Sequence, residues 1–201
     1  MGQKIRLGIM ASGGGSNAKS ILKNCAEGKL NAVGGLIISN NLDAGVHEVA
    51  KQFDIPSATI NRQDYGKGSD FSRTLIESFM AAGVNLVCLA GYMRKVPKAL
   101  LNAYPNAVIN IHPALLPKHG GKGMYGIHVH EDVLKCGDNE SGVTIHFVDA
   151  EYDRGPILLQ RGGVPVLDDD TPKSLAKRVL KLEHELYPEA VGKWIKEYNS
   201  K

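Results

Sequence analysis

The sequence predicts an α/β fold: a doubly wound, mainly parallel twisted sheet with an antiparallel strand addition near the C-terminus and a long C-terminal helix. Short apolar runs alternate with helical spacings through residue 111, which implies parallel strands joined by right-handed crossovers. The first run ends in a glycine-rich loop that opens a helix, the position where open α/β sheets bind ligands. From residue 142 two longer runs and one long helical stretch replace that rhythm.

Each element carries its own signal. Residues 5–11 form an apolar run that stops at Ser12-Gly13-Gly14-Gly15-Ser16-Asn17, and residues 18–26 have helical spacing. Residues 33–39 read as the second strand, 44–53 as a helix with Asp43 near its start, and 57–60 as a short third strand. Ser69-Asp70 can cap a helix running to residue 82, which Gly83 closes. Residues 85–90 are a strand, Gly91-Tyr92-Met93-Arg94 turns out of it, and Val96-Pro97 starts a short helix with proline in its first turn. Residues 107–111 are the fifth strand. Gly120, Gly121 and Gly123 mark residues 118–125 as a mobile loop, and residues 126–135 are helical. Residues 142–148 and 156–166 read as strands able to pair antiparallel. Thr171-Pro172 then opens a helix over residues 173–199, which Pro188 should bend or break.

Composition narrows the function classes. The 201 residues are 43% hydrophobic and 22% charged, ordinary values for one domain with a sizeable core. A net charge of +3, with no basic cluster interleaved with aromatics, argues against nucleic acid. Cys25, Cys88 and Cys136 are widely spaced and form no C-x-x-C pair, so neither a disulfide framework nor a zinc site is expected. The first residues lead straight into a strand, without a signal-peptide apolar region. Nothing approaches the ~20 apolar residues of a membrane span. A soluble, cytoplasmic, single-domain protein with no nucleic-acid or membrane partner is expected.

The chemistry centres on Asn110-Ile111-His112-Pro113-Ala114-Leu115-Leu116-Pro117. Pro113 biases His112 away from helix, so a strand ends by presenting an amide and an imidazole on one face. Such a pair can polarise a carbonyl and move a proton, or it can merely satisfy loop backbone. The glycine loop lacks the dinucleotide spacing, since Ala18 stands where a third glycine is needed and Ser39-Asn40-Asn41 offers no acidic residue. No Gly-Lys-Ser/Thr follows it either. A single phosphate held by Gly15, Ser16 and Asn17 fits better, with a packing turn as the alternative.

In the stretch from Ser141 to Val148, Val143, Ile145 and Phe147 share one face while Thr144 and His146 share the other. Asp149, Glu151, Asp153 and Arg154 follow, ahead of Gly155-Pro156. These charges make either a solvated turn or one carboxylate that faces His112, favours its imidazolium and relays protons. His146 is read as structural or supporting. Leu89-Ala90-Gly91-Tyr92-Met93-Arg94 could wall a flat ring system, although Met93 and Val96 also suit a core.

Taken together, Ser12 to Asn17, Leu89 to Arg94, Asn110 to Lys118, Gly142 to Val148 with Asp153 to Pro156, and Glu183-His184 with Tyr187-Pro188 resemble the phosphoribosylglycinamide formyltransferases of purine synthesis. The resemblance spans almost the whole chain in order. It implies one Rossmann-like formyltransferase domain over residues 1–201, with residues 1–105 as the phosphate-binding half and 106–201 as the catalytic and folate-binding half. It implies formyl transfer from 10-formyltetrahydrofolate, as co-substrate, to the glycinamide amine, by a monomer or homodimer acting on these small molecules; no metal is expected, because the His and acidic residues lack ligand spacing. Asn110, His112 and Asp153 match the catalytic trio. Gly15, Ser16 and Asn17 match the phosphate loop, and Glu183 matches a ribose contact. Met93, Arg94, Lys95 and Val96, with Asn110, match the folate wall, and backbone at residues 149–153 surrounds the pterin. The chain departs from many relatives at Gly68, where Lys67 is the substitute for a basic folate contact, and near Leu180, where Lys177 or Lys181 could support phosphate.

The mechanism expected from this resemblance has Asn110 and a protonated His112 stabilising the oxyanion while Asp153 holds His112 and relays a proton through water. The rivals are methionyl-tRNA formyltransferase, which needs an extra C-terminal domain, formyltetrahydrofolate hydrolase, which usually has an N-terminal regulatory domain, and a catalytically silent phosphate-binding module.

Overall fold

The computed structural model describes residues 4–66 and 70–200. Its strand order is β3-β2-β1-β4-β5-β6-β7, with β1 at Ile5–Ala11, β2 at Ala32–Ser39, β3 at Ser57–Thr59, β4 at Leu86–Leu89, β5 at Val108–His112, β6 at Glu140–Phe147 and β7 at Ile157–Pro165. The pairs β1/β2, β1/β4 and β2/β3 are parallel and β6/β7 is antiparallel, as the sequence predicts. Two compact units divide within β5: Met1–Ile109 and Asn110–Lys201.

In the first unit the strands are nearly continuous apolar runs because both faces are covered. Leu7, Ile9, Met10, Ile37, Ile38, Leu86 and Val87 are buried, as are Ala18, Ile21 and Leu22 of α1 (Ser16–Ala26), Val46 and Val49 of α2 (Val46–Gln52) and Phe71, Leu75 and Phe79 of α3 (Asp70–Ala81). The order reverses at β1/β4, the switch point at which such sheets bind ligands. Helix α1 begins two residues earlier than its spacing suggests. Gly15 takes the cap position in a left-handed conformation, φ 73°, so Ser16 and Asn17 already belong to the first turn. Pro97 caps α4 (Lys98–Ala103) and lies just outside its first turn. The expected cap at Ser69 and the folate contact at Lys67, like Gly68, lie outside the described residues.

In the second unit α6 (Pro172–Asn199) packs against β6, β7 and α5 (Ile127–Cys136). Thr171 caps it, its hydroxyl accepting the Ser174 N–H at 3.2 Å while Ser174 Oγ accepts the Thr171 N–H at 2.9 Å. The helix runs unbroken through Pro188, so of the expected bend or break the break does not occur. A mid-helix proline costs about 3 kcal/mol. Here Leu186, Tyr187, Ala190, Val191, Trp194 and Ile195 are buried on both sides of it, and that packing outweighs the lost hydrogen bond. No described helix is long and apolar enough to cross a membrane.

Candidate functional site

In the first unit the loop after β1 is built around one close approach. A Cβ added to Gly15 would meet Val46 Cγ2 at 2.7 Å, and φ 73° is a conformation L side chains rarely adopt. The Val46 N–H donates to Gly13 O at 3.0 Å, which closes the turn onto the start of α2. No side chain caps α1, so its first N–H groups and dipole suit an anion at Gly15, Ser16 and Asn17. Ser16 is exposed and Asn17 buried.

The loop is tied to the turn after β4. Ser12 N–H donates to Gly91 O at 3.0 Å, and Met93 N–H donates to Ser12 Oγ at 2.8 Å. Beyond that tie Met93, Arg94 and Lys95 are exposed while Tyr92 and Val96 are buried, so of the two wall residues that also suit a core only Val96 packs inward. Burial pushes the Tyr92 hydroxyl up to about 12, so it stays a neutral donor.

In the second unit the polar face of β6 holds the Asn-x-His stretch. Thr144 Oγ1 donates to Ala114 O at 2.7 Å and accepts the Leu116 N–H at 3.1 Å. Gln160 Nε2 donates to Thr144 Oγ1 at 2.8 Å and to Leu116 O at 2.9 Å. The Leu116–Pro117 peptide is cis. His146 Nδ1 donates to Phe147 O at 2.9 Å, so in a neutral ring Nε2 accepts from Asn110 Nδ2 at 3.1 Å. In that tautomer the Asn110 amide nitrogen faces the ring and keeps a second N–H for another acceptor. His146 thus lies against Asn110 on the polar face of β6.

Of the charges between β6 and β7, only Asp153 turns inward. Asp149, Glu151 and Arg154 are exposed, with Arg154 Nε 3.4 Å from Glu151. Asp153 adopts φ 56°, and its Oδ2 accepts the Gly121 N–H at 2.9 Å. Oδ2 lies 3.7 Å from His112 Nδ1, and Oδ1 lies 3.5 Å from His146 Nε2. Gly155 next to it has no room for a side chain, because a Cβ would run into the Phe147 carbonyl.

The electrostatics follow from this packing. Burial pushes the Asp153 carboxyl up, but His146 and His112 in their protonated forms, together with the Gly121 N–H, hold it below the usual carboxylate range. Burial lowers His112 below 6.5, and the Asp153 charge opposes that without overcoming it. The protonated His112 expected from the sequence is thus disfavoured in the free protein, because desolvation of an imidazolium at 3% exposure exceeds the attraction of one carboxylate. His112 Nε2 donates to His119 O at 2.9 Å, leaving Nδ1 as the basic nitrogen toward Asp153.

His119 escaped the reading of the sequence. Its Nδ1 meets Asp132 Oδ2 at 2.6 Å and its Nε2 meets Asp138 Oδ2 at 2.9 Å. Lys118 Nζ also reaches Asp138, at 3.1 and 3.2 Å. The stretch expected as a mobile loop is therefore anchored at residues 118, 119 and 121. Atoms of His119, Asp132 and Cys136 lie within 4.8 Å of one another, a grouping that could hold a metal ion and that linear spacing did not reveal. Its two helical members are four residues apart on one face of α5, while the histidine comes from the preceding loop.

Comparison with known proteins places the chain. The family model described as formyl transferase matches residues 5–191. The chain belongs to the formyl transferase family. A chloroplastic phosphoribosylglycinamide formyltransferase of Arabidopsis thaliana is 45% identical over 93% of this chain and 64% of its own length. The phosphoribosylglycinamide formyltransferase of Bacillus subtilis (strain 168) is 34% identical over 92% of both chains. The crystal structure of glycinamide ribonucleotide transformylase 1 from Symbiobacterium toebii superposes with a TM-score of 0.89 at 40% identity, covering 96% of this chain and 88% of that one. The chain spans 64% and 59% of the lengths of two plant relatives.

Proposed function

We propose that the protein transfers the formyl group of 10-formyltetrahydrofolate to the primary amine of N1-(5-phospho-D-ribosyl)glycinamide, an N-formylation in de novo purine synthesis. The observation that carries this reading is the Asp153 carboxylate facing both His112 and His146, with His146 bonded to Asn110. The names of relatives matched over nearly their full length support it.

A primary amine needs no activated Ser or Cys. It attacks the formyl carbon, a C–N bond forms, and the carbonyl electron pair moves onto oxygen. Asn110 donates an N–H to that oxyanion, and losing such a donor costs on the order of 3 kcal/mol, about a hundredfold in rate. The proton shed by the new ammonium passes through water and Asp153 to the basic Nδ1 of His112. The imidazolium so formed stabilises the oxyanion. It then gives the proton to the folate nitrogen as that C–N bond breaks, releasing tetrahydrofolate and the N-formyl product.

Gly15, Ser16 and Asn17 take the phosphate in this scheme, and buried Glu183 takes the ribose. Lys177 and Lys181, both exposed on α6, are the candidates for phosphate support. Met93, Arg94, Lys95 and Val96, with Asn110 and backbone at residues 149–153, receive the folate, and Lys67 is its candidate cation. Folate absorbance followed with and without glycinamide ribonucleotide tests the reading. Turnover that requires the ribonucleotide supports it, turnover without it marks a hydrolase, and no turnover in either case removes the transferase assignment.

A further inference from the structure

His119 touches neither Asn110 nor Asp153 in any bond described above, yet its backbone carbonyl receives the only ring N–H that a neutral His112 has. That carbonyl is aimed by an uncommon backbone. His119 adopts φ 55°, a left-handed conformation that costs a non-glycine residue about 1 kcal/mol or more and persists only where its surroundings hold it. The holding groups are the two carboxylates. Asp132, on α5, takes Nδ1, and Asp138, just past the end of α5, takes Nε2 while also bonding Lys118. The His119 ring is 6% exposed and each of its nitrogens lies within hydrogen-bond distance of a carboxylate oxygen. The result is a side chain fixed at two points and a carbonyl fixed with it.

We propose that His119, clamped between Asp132 and Asp138, is the positioning residue for His112: it holds the His112 ring in the tautomer that turns Nδ1 toward Asp153. Without the clamp the carbonyl drifts, the Nε2–H loses its acceptor, and the ring is free to flip or to move its proton to Nδ1. His112 would then present an occupied nitrogen to the proton it has to accept. This inference builds on the formyl-transfer reading for its kinetic consequence, whereas its structural content stands independently.

The test uses His119→Gly in the full chain. Glycine adopts φ 55° freely, so a change reports the missing clamp and not backbone strain. Imidazole 15N shifts of selectively labelled protein read the His112 tautomer directly. The wild type is expected to show one Nε2–H form and His119→Gly a mixture. In the transfer assay kcat is expected to fall about tenfold, the size of one lost hydrogen bond, with both KM values within about twofold. Should His119→Gly fail to fold, the double variant Asp132→Asn, Asp138→Asn keeps the shapes, removes both anions and is judged by the same two readings. A folded variant with an unchanged His112 tautomer overturns the proposal. A shifted tautomer in a protein without transfer activity upholds the clamp and refutes the formyl-transfer reading instead.

Discussion

His112 and Asp153 face one another across 3.7 Å, Nδ1 to Oδ2, and that carboxylate oxygen is held by the Gly121 N–H at 2.9 Å. The distance is too long for a direct hydrogen bond and short enough for charge coupling once His112 takes up a proton. Asp153→Asn keeps an acceptor for Gly121 and tolerates the left-handed backbone, but removes the charge. Turnover is expected to fall about a hundredfold or more, with substrate KM values nearly unchanged. Steady-state kinetics decide it: a raised KM with normal kcat would make Asp153 a binding residue only.

The acid side of the kcat/KM profile follows from the resting state of His112. Burial lowers this imidazole below 6.5, so the free protein holds it neutral at pH 7. Asp153, also lowered, remains ionised throughout the same range. Activity is therefore expected to hold from neutrality downward until the pH falls below 6.5, and then to decline as the basic nitrogen protonates. A profile that instead rises on acidification from pH 7 would show that the imidazolium is the working form of the free enzyme.

Acid stability has a separate source in His130. It is buried on α5, and its Nδ1 has no hydrogen-bond partner among the described residues. Burial, with a smaller push from His112, takes it from 6.5 down to about 4. Between those two values the unfolded chain binds the proton and the folded chain does not, so stability falls as pH drops through this window. Thermal unfolding of His130→Phe, compared with the wild type from pH 7 to pH 4, is expected to show a flatter loss of Tm. Parallel curves would assign the acid sensitivity to other groups.

Gly15→Ala forces a Cβ to within 2.7 Å of Val46 Cγ2 at a φ of 73°. The strain is about 1–3 kcal/mol and falls on the turn that presents the first N–H groups of α1. A lower Tm is expected, together with a raised KM for the phosphorylated amine and little change in the folate KM. Equal effects on both KM values would dissociate the loop from the phosphate.

The apolar runs and glycine turns were enough to place every described strand: the parallel ones as nearly continuous buried runs, β6 and β7 as longer runs able to pair antiparallel. Asn110 and His112 were legible as polar groups at a strand end, and residues 149–154 as a charged turn with one carboxylate able to face His112; only the family resemblance singled out Asp153. What was not legible came from contacts without a linear signature. Thr144 and His146 read as the polar face of β6, but alternation does not say what covers a face; here it is the Ala114–Leu116 turn and Asn110. His119 acts through a backbone carbonyl and pairs with carboxylates thirteen and nineteen residues away. The resting charge of His112 was not legible, because sequence proximity suggests a carboxylate partner and not the depth of burial that opposes it.

The most direct test is a single turnover with 10-formyltetrahydrofolate labelled at the formyl carbon, run with the wild-type protein and with Asp153→Asn. The label is expected on the glycinamide amine at once with the wild type and only slowly with the variant, while both bind the ribonucleotide. Label recovered as free formate, or left on the folate by the wild type, would contradict formyl transfer by this protein.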